Sequence, residues 1–121
     1  MINETSVYDI VVSLIESKKE GEYWDFKEKW HSKSAELVKD IICFANTVHN
    51  MDCYLIIGVS DSYKVVGVSD DRRKQSDIID MLSNLSFAGD NIPKISVETI
   101  MVKEKTVDVL IIHNTYKTPI Y

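Results

Sequence analysis

Cys53-Tyr54-Leu55-Ile56-Ile57-Gly58-Val59 is the stretch whose reading decides the fold. It is a continuous apolar run of strand length with no polar alternation. Such a strand must be covered on both faces, as at the centre of a sheet flanked by helices. After it, Asp61-Ser62-Tyr63-Lys64 reads as a turn and Val65-Val66-Gly67-Val68 as a short returning strand. Before it, Leu37, Val38, Ile41, Ile42, Phe44, Ala45 and Val48 give a helix over 34–48 a broad apolar face. Tyr23-Trp24-Asp25-Phe26 is short and aromatic, which favours a strand. Residues 27–34 are charged and read as a loop. Nearer the N-terminus, Val7, Ile10, Val11, Leu14 and Ile15 share one stripe of a helix over 6–18, with Ser6 placed to cap it.

Downstream, Asp70 or Asp71 is placed to cap a third helix reaching Leu85, with Ile78, Ile79 and Leu82 on its apolar side. Past Pro93, Ile95, Val97, Thr99 and Met101 alternate with their neighbours in a strand pattern. Lys103-Glu104-Lys105 is a polar turn, and Thr106 to Ile112 completes a hairpin. The order α-β-α-β-β-α-β-β predicts an α+β domain with helices packed on a mixed sheet. We expect one domain over 1–121. Because the chain closes on the apolar Pro119-Ile120-Tyr121, we expect it to be the N-terminal part of a longer protein.

Composition bounds the function. The 121 residues are 45% hydrophobic and 27% charged, which suits a globular domain rather than a disordered one. No apolar run approaches the roughly 18 residues of a membrane span, and no basic stretch precedes an apolar one as in a signal peptide. With 14 basic and 19 acidic residues the net charge is −5, which excludes a uniformly basic nucleic-acid coat protein but leaves room for a local basic face. Cys43 and Cys53 lie in apolar segments and read as packed thiols, without a disulfide, in a reducing cytoplasm. His49 and Cys53 have no second pair to complete a zinc site. No phosphate-cradling glycine loop is present, so an ATPase has no support.

Two sets of residues carry possible chemistry. Glu20, Glu22, Asp25 and Glu28 crowd the first strand, and Asp61 follows the central one. Converging carboxylates hold hard cations such as magnesium or manganese; the plainer alternative is a solvated acidic loop. Glu20 and Asp25 fall on opposite faces of a regular strand, and they meet only if Glu20 lies on a turn, which Gly21 permits. The second set is cationic: Lys27, Lys29, His31 and Lys33 after the first strand, and Arg72, Arg73 and Lys74 opening the third helix. Grouped on one face these would bind phosphates, with Trp24, Trp30 and Tyr63 near enough to stack on bases. Dispersed, they are ordinary surface with core aromatics. Asn46 and Thr47 close the buried helix, either as its cap or as a phosphate contact.

Three segments together resemble the Schlafen-type AlbA_2 domain over roughly residues 20–113. They are Glu20-Gly21-Glu22-Tyr23-Trp24-Asp25-Phe26-Lys27, then Ile41-Ile42-Cys43-Phe44-Ala45-Asn46-Thr47, then Leu55-Ile56-Ile57-Gly58-Val59-Ser60-Asp61 with Val65-Val66-Gly67-Val68. In that family Asp25 replaces a Glu, and the usual Gly-Gly after Asn-Thr is here Val48-His49-Asn50-Met51-Asp52. The resemblance implies a nucleic-acid-binding domain, DNA more than RNA, within a transcriptional regulator. Binding would need no cofactor and would use Lys27, Lys29, Lys33, Arg72, Arg73 and Lys74. The alternative it implies is an endoribonuclease with Glu20, Asp25 and Asp61 as catalytic residues and ligands of magnesium or manganese. A second alternative is a protein-interaction domain without catalysis. A homodimer is also expected, partly from the resemblance. The physical reason is that the hairpin strands 94–102 and 106–112 carry apolar residues on both parities, so one face would be left to a second copy.

Overall fold

The structure is a computed structural model that describes residues 6–47, 51–69, 72–84 and 93–113. In chain order these form α1 (Val7–Ser17), β1 (Trp24–Lys27), α2 (Ser34–Thr47), β2 (Cys53–Ile57), α3 (Gln75–Ser83), β3 (Ile95–Val102) and β4 (Lys105–Ile112). The strands make one mixed sheet in the order β1-β2-β4-β3. β1 and β2 run parallel, and β2–β4 and β4–β3 antiparallel. A parallel neighbour requires a long crossover, which the chain between β1 and β2 supplies through α2.

The α+β architecture is as expected, and the two-residue side-chain period sorts its core. Trp24, Phe26, Ile56, Val107, Val109 and Ile111 face α1, where Val11, Leu14 and Ile15 cover them. Leu55, Ile57, Leu110 and Ile112 face the other way, onto Leu37 and Ile41 of α2 and Ile78 and Leu82 of α3. Leu55, Ile56 and Ile57 are all fully buried, each worth about 1.5–3 kcal/mol of transfer free energy. β4 lies between β2 and β3, and its residues 107–112 are buried within the one chain. Its apolar residues on both parities therefore reflect a central position within one chain.

Ser6 caps α1 by accepting the Asp9 N–H at 3.1 Å. The helix ends where Lys18 turns left-handed at φ 52° and returns its N–H to Ile15.

Two elements differ from the sequence reading. Residues 65–68 form no strand; Val65 makes a single bridge with Val59. The donors of this segment are divided: Val66 and Gly67 both bond the Gly58 carbonyl, at 2.8 and 3.0 Å, while Val68 bonds the Thr106 carbonyl at 2.9 Å. No ladder can form from donors pointing to two partners. The fold of this segment depends on Gly58 and Gly67, at φ 111° and 82°, a region closed to most side chains. A Cβ on Gly58 would also lie 3.2 Å from the Gly67 carbonyl carbon.

The third helix begins at Gln75, later than expected, so Arg72, Arg73 and Lys74 precede it instead of forming its first turn. Lys74 occupies the cap position in extended conformation and gives no side-chain cap. Asp70, Asp71 and Leu85 lie outside the described residues. The physical reason for the late start is the pull of the two guanidinium groups, which reach back to the sheet and to the loop after β1.

Candidate nucleic-acid interface

Lys27, Ile57, Asp108 and Thr99 form one rung across the sheet, since Lys27 pairs with Ile57, Ile57 with Asp108, and Asp108 with Thr99. Paired residues point to the same face, so this rung lies on the side that carries α2 and α3. Asp108 is only 1% exposed. A bare carboxylate at that depth would cost several kcal/mol, on the order of the effective ion-burial penalty. The chain surrounds it with donors instead. Arg72 donates from Nε to Oδ2 at 3.0 Å and from Nη2 to Oδ1 at 2.7 Å. Thr99 donates to Oδ1 at 2.7 Å and Trp30 Nε1 to Oδ2 at 2.8 Å. Burial opposes ionisation here, but these hydrogen bonds and the Arg72 charge outweigh it and hold the Asp108 carboxyl below the usual range.

Asp108 was not among the residues singled out above. The signal was available: one carboxylate inside Val107-Asp108-Val109-Leu110-Ile111-Ile112, a run that otherwise reads as core.

Arg73 performs a similar tie on the loop side. Its Nε and Nη2 donate to the His31 carbonyl at 3.2 and 2.8 Å, and Nη1 to Ser34 Oγ at 3.2 Å. The two cationic stretches, 40 or so residues apart in sequence, are therefore joined at one end of the sheet. Two adjoining concavities result, of about 530 and 490 Å³, and Arg72 and Arg73 line both. Lys74 lines the first and Lys29 the second, and both side chains are exposed. Lys33 is exposed at the end of the same loop, where its carbonyl accepts the first N–H groups of α2. Lys27 is held differently: its Nζ lies 3.4 Å from Asp25 and 4.0 Å from Asp40. Asp40 in turn accepts from His31 Nε2 at 2.7 Å.

Trp24 and Trp30 are core residues, with indole N–H groups committed to the Lys19 carbonyl at 2.9 Å and to Asp108. Tyr63 packs edge-on against Phe26, ring centroids 5.6 Å apart. Trp30 therefore lies in the core under the cations, while Trp24 and Tyr63 pack on the opposite, α1 face of the sheet. Cys53 is buried and donates to the Phe44 carbonyl at 3.7 Å, and burial pushes its thiol up to about 11; Cys43, expected in the interior, is exposed.

The structure brings Glu20 and Asp25 together. Glu20 lies outside β1, in the turn before it, so the opposite strand parity does not separate the two. Its carboxyl group hydrogen-bonds Asp25 and accepts the Phe26 N–H at the free edge of the sheet. Desolvation, and then the bond to Asp25 and its charge, push Glu20 up to about 7. Asp61 is exposed in the turn after β2. Among the described residues no three Asp, Glu, His or Cys side chains converge on a point where a metal ion would be held. As placed, Glu20, Asp25 and Asp61 do not fit a three-carboxylate magnesium or manganese centre, and we derive no step through one.

The fold and this rim define an α+β domain with a mixed sheet and a cationic end. The family model for Schlafen, AlbA_2 matches residues 20–121, and the chain belongs to that family. This makes it a nucleic-acid-related domain. A comparison with curated proteins found no match. Among the described residues no helix is long and apolar enough to cross a membrane.

Proposed function

We propose that this domain binds nucleic acid through the cationic end of its sheet, with Lys29, Lys33, Arg72, Arg73 and Lys74 as the phosphate-facing residues. DNA is the expected polymer and a transcriptional regulator the expected setting, both on the family's account. The observation that carries the reading is the union of two cationic stretches by Arg73 and Asp108 into one concave surface, on a chain whose net charge is −5. A polyanion is held by several cations at once, and clustering them focuses the field that a dispersed set would lose to solvent. Lys27, beside Asp25 and Asp40, contributes less than its neighbours.

The test is binding of a short labelled duplex and a single strand to the full chain and to Lys29→Glu with Lys74→Glu. Among the described residues neither lysine side chain makes a hydrogen bond, and the Lys74 carbonyl that accepts the Ile78 N–H is kept in the variant, so it should keep its fold and lose most of its affinity. Unchanged affinity in a folded double variant would overturn the reading.

A further inference from the structure

Arg72 is half committed. Its Nε and Nη2 are fixed by Asp108, and Nη2 also reaches Thr99 Oγ1 at 3.0 Å. Among the described residues its Nη1 makes no hydrogen bond, and the side chain is 43% exposed although its partner carboxylate is buried. A guanidinium held this way has lost its rotamer freedom before any ligand arrives, and the remaining N–H groups point as a fixed donor edge. This geometry differs from that of the rim lysines, which offer mobile point charges.

The charge around it is also particular. Among the described residues, the two concavities that share Arg72 are lined by four cationic side chains, Lys29, Arg72, Arg73 and Lys74, and by two carboxylates, Asp77 and the buried Asp108. These described side chains carry an excess of two positive charges, which suits a phosphate monoester at about −1.5 to −2 at neutral pH. A backbone phosphodiester carries only one negative charge. The two concavities, about 530 and 490 Å³, have room for a phosphate group.

We infer that the concavity at Arg72 is a subsite for one phosphate monoester, the terminal phosphate of a nucleic-acid strand, with Arg72 as its ligand and Asp108 as the residue that positions it. The inference rests on the nucleic-acid reading and adds an end preference to it. Arg72 supplies the oriented N–H edge, Lys29 and Lys74 approach from either side, and Arg73 holds the loop that carries Lys29.

The experiment compares oligonucleotides of one sequence carrying a 5′-phosphate, a 3′-phosphate or hydroxyls at both ends, by fluorescence anisotropy with the full chain. Inorganic phosphate is titrated separately while the Arg72 Nε–H signal is followed by NMR. A phosphorylated end should bind about ten-fold tighter or more, the worth of one charge-assisted hydrogen bond. Whichever end is preferred identifies the source of the phosphate, and inorganic phosphate should shift the Arg72 signal. Arg72→Gln leaves Asp108 without its cation and can unfold the chain. The paired Arg72→Gln with Asp108→Asn keeps a neutral hydrogen-bonded contact and should abolish the end preference while retaining salt-sensitive binding through the lysines. Equal affinity for all three oligonucleotides would overturn the subsite and leave the general binding intact. An Arg72 shift with inorganic phosphate while none of the three oligonucleotides binds would keep a phosphate site and overturn the nucleic-acid reading and the terminal-phosphate assignment with it. A folded paired variant that keeps the end preference would also overturn the assignment.

Discussion

Asp108 and Arg72 meet through two parallel hydrogen bonds, 3.0 and 2.7 Å long, between a carboxylate that is 1% exposed and a guanidinium that is 43% exposed. The pair spans the boundary between core and surface. It anchors the lead-in to α3 on the sheet, and through Trp30 it anchors the loop after β1 as well.

Asp108→Ala should cost about 3 kcal/mol or more, since Arg72, Thr99 and Trp30 would each lose a partner at once. Urea unfolding followed by circular dichroism measures this. The pH dependence has a definite sign. The folded carboxyl lies below its ordinary value, so its stabilisation is complete above the unfolded value of about 3.9 and disappears as pH falls through the folded value. Asp108→Asn should flatten the acid limb of the stability curve; an unchanged limb would show that other carboxylates control it.

Glu20 has the opposite sign. Its folded value is pushed up to about 7 from 4.5, so between those values the folded chain holds a proton that the unfolded chain has released. Stability should therefore fall as pH rises through this window and stay lower above it. Glu20→Gln should remove the decline and raise the melting temperature on the alkaline side. A melting profile from about pH 5 to 8 that is the same for both proteins would contradict the carboxyl pair.

The hairpin turn stores local strain. Lys103 and Glu104 have φ of 51° and 65°, the two left-handed positions of a type I′ turn between β3 and β4. Lys103→Asn with Glu104→Gly should stabilise the chain by about 1 kcal/mol, read as a higher denaturation midpoint at unchanged slope. No gain would mean that the turn relaxes in solution.

The central strand was legible in the sequence because burial on both faces leaves no room for alternation, and Ile57, its last residue, has no exposure. The hairpin was legible for a related reason, a polar pair between two strand patterns. The start of α3 was not, because the force that delays it is a contact between residues far apart in the chain. Arg72 meets Asp108 36 positions away and Trp30 meets it 78 positions away. Periodicity reports on local structure and carries no information about such pairs. For the same reason the two cationic stretches were readable as sets but their meeting at one end was not. The segment 65–68 has strand composition, yet its hydrogen-bond donors serve both Gly58 and Thr106, a division that no local pattern encodes. The double apolar parity of strand 106–112 was visible, and the tertiary position of β4 explains it without a partner.

Ile57→Asp should prevent folding, because the new carboxylate would sit beside Asp108 on the same rung, fully buried, and its other neighbour Lys27 is already held by Asp25 and Asp40, a penalty of several kcal/mol by roughly the cost of a buried unpaired charge. A soluble variant with cooperative melting would contradict the placement of β2.

The central claim is that the joined cations bind a polyanion, and its most direct measurement is the salt dependence of nucleic-acid affinity for the full chain. Log affinity should fall linearly with log salt with a slope of about −4.5 if all five cations each neutralise a phosphate, near −0.9 for each one. Lys29→Ala and Lys74→Ala should each reduce that slope by about one phosphate's worth. Affinity that does not change with salt, or slopes identical in the folded variants, would contradict the account.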